Sequence, residues 1–219
     1  MLNLSNNQIL TIEHDTFHGL TMTRHLNLSN NLIYNLNGGL FKSTNNLEEL
    51  ILSRNKIDFI EADFFIGLGN LKYFDLSSNF ISSLSRDTFQ SIRNLETLFL
   101  NSNRLTRLND SIKMIKNLKS LDLSWNKIEA IFNSDFEQIN NLTSLDISFN
   151  PLLQIDSNLS HLISLRSFKL SSLNSISVDL GLFLCLQELD LSQNYELNLK
   201  SLKNLKHLTK LNLKNTEQL

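Results

Sequence analysis

The stretch LDLSWNKI, from Leu121 to Ile128, is the pattern that decides the fold of this chain. Leu121 and Leu123 alternate with polar residues, which is the pattern of a short strand with one buried face. Asn126 follows where the chain is expected to turn inward. A buried turn needs hydrogen-bond partners for its backbone, and an amide side chain can both donate and accept. The stretch therefore predicts a short strand that ends in a turn supported by asparagine.

The same stretch recurs along the whole chain, and its copies define units 1 to 10. They are LNLSNNQI (2–9), LNLSNNLI (26–33), LILSRNKI (50–57), FDLSSNFI (74–81), LFLNSNRL (98–105), LDLSWNKI (121–128), LDISFNPL (145–152), FKLSSLNS (168–175), LDLSQNYE (189–196) and LNLKNTEQ (211–218). Successive copies begin 21 to 24 residues apart. This spacing predicts a repeat architecture in which each unit buries its apolar face against its neighbours.

Other positions of the unit complete the predicted core. A further leucine precedes the strand by three residues, at Leu47, Leu71, Leu95, Leu118, Leu142, Leu165, Leu186 and Leu208. An outer phenylalanine follows the isoleucine of the motif by eight residues, at Phe17, Phe41, Phe65, Phe89 and Phe136. The asparagines predicted to stack as a ladder are Asn7, Asn31, Asn55, Asn79, Asn103, Asn126, Asn150 and Asn194.

These positions form the pattern L-x-x-L-x-L-x-x-N-x-L, and the whole chain resembles the leucine-rich repeat family. The resemblance implies an α/β solenoid, a curved horseshoe with a parallel β-sheet on its concave face and mostly loops and short helical turns on its convex face. A 24-residue period with an outer phenylalanine is similar to extracellular members such as Toll-like receptor ectodomains. We expect one domain over residues 1–219, a fragment without the cysteine-rich caps of such relatives.

The overall composition limits the classes of partner. The 219 residues are 41% apolar and 19% charged with a net charge of −2, so no nucleic-acid partner is expected. No signal peptide is evident and no apolar run approaches the roughly 18 residues of a membrane span. A membrane is therefore expected only through flanking segments. The single Cys185 excludes an internal disulfide and is predicted to be a small buried core residue.

Catalytic and metal chemistry find little support in the sequence. His14 and His18 have a four-residue spacing beside Asp15, but no further ligand follows at a useful distance, and a solvated surface is the simpler interpretation. Cys185 has no histidine placed near it by the repeat. No glycine-rich phosphate loop occurs. We therefore predict no enzyme, no cofactor and no metal.

Five N-x-S/T sequons are candidate glycosylation sites. Asparagine, serine and threonine are so frequent here that chance alone would produce about five such sequons. They permit glycosylation without demonstrating secretion. The candidates are Asn3, Asn27, Asn109, Asn141 and Asn158.

The concave face is the candidate binding surface, because residues flanking the two strand leucines are expected to face solvent. One such column is mostly serine: Ser5, Ser29, Ser53, Ser77, Ser124, Ser148, Ser171 and Ser192. Trp125 and Phe149 occupy equivalent places in adjacent units and should lie about 5 Å apart. With Tyr73 and Phe99 they are predicted to form an aromatic patch. The candidate ligand-binding residues are Arg54, Tyr73, Asp75, Phe99, Asp122, Trp125, Asp146 and Phe149.

Each part of this surface has a structural alternative. Trp125 and Phe149 could fold over the strand edge and pack only on their neighbours. The aspartates at Asp75, Asp122 and Asp146 could support neighbouring turns, because LDLS is a frequent form of this repeat. Both alternatives stay open at this stage.

The function implied by the resemblance is non-enzymatic recognition. We expect part of an innate-immune-type or cell-surface receptor ectodomain, outside the cell, that binds a protein or peptide ligand and forms a homodimer or heterodimer. One alternative is a cell-adhesion or matrix protein whose arcs pair with each other. Another is a cytoplasmic scaffold that docks a signalling enzyme.

Overall fold

The structure is a computed structural model that describes residues 1–173, 178–195, 197 and 199–216. The ends of the last three motif copies, at 174–175, 196 and 217–218, lie outside the described residues. Twelve short strands are present in the described part: β1 Leu2–Asn3, β2 His25–Asn27, β3 Glu49–Ile51, β4 Tyr73–Asp75, β5 Thr97–Phe99, β6 Ser120–Asp122, β7 Ala130–Ile131, β8 Ser144–Asp146, β9 Gln154–Ile155, β10 Ser167–Lys169, β11 Glu188–Asp190 and β12 Lys210–Asn212.

Ten of these strands form one parallel sheet in which each unit pairs with the next. The register joins equivalent motif positions, so that Leu50 pairs with Leu26 on one side and with Phe74 on the other. Leu98 pairs with Leu121 in the same way. The alignment of the motif copies is therefore also the strand register, which confirms the predicted parallel-sheet solenoid.

The rest of each unit consists of turns and short helical segments. 3₁₀ helices are described at Ala62–Phe65, Asn133–Phe136, Leu180–Leu182 and Leu199–Asn204. Strands β7 and β9 pair with each other outside the main sheet. Among the described segments, no helix has the length and apolar character needed to cross a membrane.

The core is continuous along the solenoid and contains the outer phenylalanines. Phe17, Phe41, Phe65, Phe89 and Phe136 are all buried, as predicted. Phe17 stacks on Phe41 with ring centroids 5.5 Å apart, and Phe65 meets Phe89 edge to face at the same separation. Fully burying such a side chain contributes about 1.5–3 kcal/mol, so each outer phenylalanine stabilises the stack of units.

The predicted asparagine ladder is confirmed by the hydrogen bonds of its members except Asn7, whose Nδ2 donates to the carbonyls of Leu4 and Ser5 in its own unit. The Nδ2 of Asn103 donates to the carbonyls of Leu100 and, in the preceding unit, Leu76, both at 3.0 Å. Its Oδ1 accepts from the backbone N–H of Ile81 at 3.0 Å. Asn31, Asn55, Asn79, Asn126, Asn150 and Asn194 repeat this arrangement. One amide per unit thus joins the turn of its own unit to the backbone of the unit before.

A second asparagine ladder, which the sequence analysis missed, runs through the loops that enter the strands. The side chains of Asn46, Asn70, Asn94, Asn117 and Asn141 each donate to a backbone carbonyl of the preceding unit. In the next two units the equivalent residues are Ser164 and Cys185. Cys185 is exposed, so its prediction as a buried core residue is wrong. It occupies the loop position that the ladder asparagines Asn117 and Asn141 occupy in earlier units.

Candidate functional site

The residue before each ladder asparagine has a left-handed backbone, and so do the residues at the equivalent place in units 8 and 10, where Leu173 and Thr216 replace the asparagine. The φ angles of this column lie between 52° and 59°, at Asn6, Asn30, Arg54, Ser78, Ser102, Trp125, Phe149, Ser172, Gln193 and Asn215. Asparagine adopts this conformation readily, whereas a bulky side chain costs roughly 1–2 kcal/mol. Trp125 and Phe149 therefore occupy positions that the backbone alone would give to asparagine or glycine. We call this set the left-handed column.

Trp125 and Phe149 form a stacked pair on the surface. Their ring centroids are 4.1 Å apart and their planes differ by 12°. Phe149 is half-buried, but Trp125 remains 58% exposed despite the stack. The rings do pack on each other, as the structural alternative supposed, yet this contact leaves most of the indole in solvent. A costly backbone position and an exposed large ring together favour a role outside the core.

Tyr73 and Phe99 form a second pair within the sheet. Their centroids are 5.5 Å apart and their planes are tilted by 54°. They lie diagonally on β4 and β5, where Tyr73 pairs with Thr97 and Phe99 with Asp75. Burial raises the pKa of Tyr73, and the neighbouring charges of Asp75 and Glu49 act in the same direction. Ring contacts among the described residues thus place the four aromatics in two pairs, on the sheet and at the left-handed column.

The aspartates of the sheet have a structural role. The backbone N–H of Ser77, Ser124 and Ser148 donates to the Oδ1 of the aspartate two residues before, which is Asp75, Asp122 and Asp146 respectively, at 2.9–3.0 Å. Asn3, Asn27 and Asn212 accept in the same manner in other units. This finding confirms the interpretation that these side chains support turns. One carboxylate oxygen is committed to the backbone, and only the other can serve a ligand.

The aspartates differ in how their charge is compensated. Burial raises the pKa of Asp122, although hydrogen bonds from Ser124 oppose the shift. Asp146 faces Lys169, with Oδ2 and Nζ 3.4 Å apart. In Asp190 burial also acts to raise the pKa, but the hydrogen bonds from Ser192, Ser171 and Asn212 together outweigh it, and the pKa is lowered. Among Asp122, Asp146 and Asp190, Asp122 is therefore the aspartate whose ionised form is least stabilised by neighbouring charges and hydrogen bonds.

The serine column does not face solvent as predicted. Ser124, Ser148, Ser171 and Ser192 are buried, and Ser53 and Ser77 are half-buried. Their hydroxyls bond within the turn, as when Ser124 Oγ donates to Asp122 Oδ1 at 2.7 Å. The strand is already turning inward at this position.

A row of alternating charges borders the sheet at the start of the strands, and the sequence pattern did not predict it. Glu48 pairs with both Arg24 and Lys72 at 3.0 Å, and Glu96 pairs with Lys119 at 2.8 Å. The hydrogen bond and charge of Lys72 lower the pKa of Glu48, and Arg24 adds to the effect. Such exposed pairs add little stability. Their consequence here is that Lys72 and Lys119 are already paired with acidic neighbours.

The remaining candidates take no part in the ring contacts of the two aromatic pairs. Arg54 is exposed in the left-handed column two units before Ser102. His14 contacts Asp15, and His18 lies 3.4 Å from the hydroxyl of Ser43; the described residues contain no group of three side chains suited to a metal ion. Of the sequons, Asn3 and Asn27 lie on the sheet, and Asn109, Asn141 and Asn158 are exposed in loops outside it.

Comparison with known proteins agrees with this geometry. The family model for the leucine rich repeat matches residues 1–57, 45–105 and 93–152, which together exceed half of the chain. Among curated proteins, none matches the chain significantly in sequence.

Solved structures extend the similarity to the whole chain. The leucine-rich repeat domain of APL1B is 25% identical with a TM-score of 0.83, over 98% of this chain and 64% of that one. TLR13, solved in a complex with ssRNA13, is 27% identical with a TM-score of 0.87, over 97% of this chain and 33% of that one. An internalin, inlF of Listeria monocytogenes str. 4b F2365, shares the fold at 22% identity and a TM-score of 0.73, over 98% and 67%. The chain thus spans less than two thirds of the length of the APL1B domain and of TLR13.

Proposed function

The chain belongs to the leucine-rich repeat family, and from this premise we propose that it is a recognition module of an extracellular, innate-immune-type receptor. It binds a protein or peptide ligand through the concave sheet and the left-handed column beside it, and it catalyses no reaction. The observation that carries the proposal is the stacked Trp125–Phe149 pair, in which Trp125 is exposed and both residues are held at backbone positions that disfavour them.

The physical basis of binding is preorganisation. The sheet register and the asparagine ladder fix the positions of the surface side chains before a ligand arrives. Little conformational entropy is then lost on binding, so more of the contact energy appears as affinity. Exposed aromatic side chains in such a rigid frame are typical binding hot spots.

A double variant tests the binding surface. Trp125→Ala with Phe149→Ala should weaken a protein ligand, selected from a displayed library of secreted proteins, by at least tenfold, or about 1.4 kcal/mol. The matched control is Tyr34→Ala with Phe59→Ala, which removes two aromatics that are each 52% exposed and lie outside the ten-stranded sheet. Unchanged affinity in the first variant, with circular dichroism showing both variants folded, would refute the assigned surface.

The receptor assignment needs a different test. The similarity to TLR13 and to the APL1B domain supports a place outside the cell. The full-length transcript should then encode a signal peptide upstream and a membrane span with a signalling domain downstream. A kinase or GTPase domain downstream without a signal peptide would favour the cytoplasmic scaffold instead. Self-association through the concave face in analytical ultracentrifugation would favour the adhesion protein.

Single-stranded RNA is the second candidate ligand, because the solved TLR13 is bound to ssRNA13. The net charge of −2 and the paired lysines at the border of the sheet argue for protein. A single-stranded oligonucleotide titrated at two salt concentrations decides between them. Salt-sensitive binding lost in the Trp125→Ala, Phe149→Ala variant would favour RNA.

A further inference from the structure

The stacked pair has one open end. Phe149 covers one face of the Trp125 ring, on the side of unit 7. On the opposite side, unit 5 contributes Ser102 at the equivalent place in the left-handed column. Because a serine side chain is short, it leaves room beside the indole for one more planar group at the spacing of the repeat.

The groups around this space include an incompletely used carboxylate. Phe99 lies in the sheet strand of unit 5, and Asp122 lies beside it in β6. The two hydrogen bonds from Ser124, at 2.9 and 2.7 Å, draw Oδ1 of Asp122 toward the end of the strand where Trp125 follows. No hydrogen bond or ion pair to its Oδ2 exists within the part of the chain that the structure describes. Asp122 and Trp125 are three residues apart, so their Cα atoms are separated by at most about 10 Å. One long side chain of a ligand can therefore contact both the indole ring and the carboxylate.

The protein itself shows which planar group fits between adjacent units. The guanidinium of Arg104 lies 4.2 Å from the ring centroid of Phe80, which belongs to the unit before. A guanidinium stacked on a ring is therefore compatible with the spacing of these units. It is also the group that combines attraction to an aromatic face with two parallel hydrogen bonds to a carboxylate.

Within the described ranges of the chain, no basic side chain forms an ion pair with Asp122. Lys119 is paired with Glu96, Lys169 with Asp146, and Arg104 lies over Phe80. Asp122 therefore offers a negative charge beside an open aromatic face. This complementarity selects a cationic and planar group from a partner.

We propose that Trp125, Ser102 and Asp122 form a subsite for an arginine side chain on an extended segment of the protein ligand. The proposal rests on the proposed function, because it names the chemistry recognised at the same surface. The arginine side chain stacks on the free indole face above Ser102, and its guanidinium donates hydrogen bonds to Oδ2 of Asp122.

The test uses two short probes and an intrinsic reporter. Trp125 is the single tryptophan, so its fluorescence and its indole N–H resonance report on this subsite alone. The probes are end-capped GGRGG and the same peptide with citrulline, which has the same shape without the charge. The arginine peptide should bind at least fivefold more tightly than the citrulline peptide. Asp122→Asn should reduce this preference below twofold.

A matched variant controls for the loss of one aspartate from the sheet. Asp190→Asn removes a carboxylate that supports the equivalent turn of its own unit by accepting from the N–H of Ser192. Its Oδ2, however, already accepts from Asn212, and the left-handed column has Gln193 in this unit where unit 6 has Trp125. It should keep the full preference for arginine. Equal binding of the two probes to the unmodified chain, or equal effects of Asp122→Asn and Asp190→Asn, would overturn the proposal.

Failure of the subsite and failure of the proposed function are separable. If a selected protein ligand requires Trp125 and Phe149 but the probes do not differ, the surface is correct and the arginine subsite is wrong. If that ligand tolerates the double variant, the proposed surface itself is wrong.

Discussion

The left-handed backbone of Trp125 predicts that its two simplest replacements differ in stability. Trp125→Ala loses the stack on Phe149, worth about 1 kcal/mol, and keeps a Cβ at a φ of 56°. Trp125→Asn loses the same stack but relieves about 1 kcal/mol of backbone strain, because asparagine tolerates this region. The asparagine variant should therefore be about 1 kcal/mol more stable than the alanine variant and close to the unmodified chain.

Urea denaturation followed by far-ultraviolet circular dichroism measures this difference, since both variants lack the only tryptophan fluorophore. Ser102→Asn and Ser102→Ala form the control pair, because Ser102 has the same backbone at φ 57° without a ring. The free energy of unfolding of Ser102→Asn should exceed that of Ser102→Ala by a similar amount. Equal stabilities of asparagine and alanine at both positions would refute the strain argument. Both Trp125 variants should bind ligand equally poorly, which separates binding from stability.

Three further predictions concern stability. Asn103→Ala should cost about 3 kcal/mol in urea unfolding, because it leaves the buried N–H of Ile81 without a partner and removes one of the two amide donors from each of the carbonyls of Leu76 and Leu100, whereas the exposed Asn7→Ala should cost less than about 1 kcal/mol. Gly67→Ala should cost about 3 kcal/mol or more, since its φ is +95° and a Cβ would lie 2.1 Å from a carbonyl oxygen of the preceding unit; Gly69→Ala, with open space, is the control. Asp122→Asn should raise stability at pH 7, because burial raises the folded-state pKa and so disfavours the ionised carboxylate; the gain should shrink as the pH falls through the carboxyl range and vanish below the unfolded-state pKa. A gain that persists at low pH would contradict that assignment.

The sequence predicts the strands and turns of the repeat well because each recurring motif position has one physical requirement, such as burial or hydrogen bonding. Leu121 must be apolar and Asn126 must both donate and accept, so their identities recur in nearly every unit and set the register. The outer phenylalanines follow from the same logic, since the wider side of the unit needs large side chains. Adjacency of Trp125 and Phe149 follows directly from this register.

Other features depend on backbone conformation and could not be deduced from residue type. The left-handed column contains asparagine, serine, arginine, glutamine and two aromatics, so no single residue marks it. The serine column looked exposed because it follows the period-two alternation, but the strand ends before Ser124 and the chain turns inward. Cys185 looked buried by its type, and only the loop ladder defines its exposed position. Aligned asparagines preceding the leucines, such as Asn94 and Asn117, were the signal for that ladder.

Hydroxyl-radical footprinting of the chain with a bound protein ligand tests the central claim most directly. Trp125 is 58% exposed, and Tyr34 and Phe59, both 52% exposed and outside the ten-stranded sheet, are internal references in the same experiment. We expect the ligand to lower the oxidation of Trp125 and Phe149 at least fivefold and to leave the oxidation of Tyr34 and Phe59 unchanged. Protection of Tyr34 and Phe59 with Trp125 still fully oxidised would contradict it.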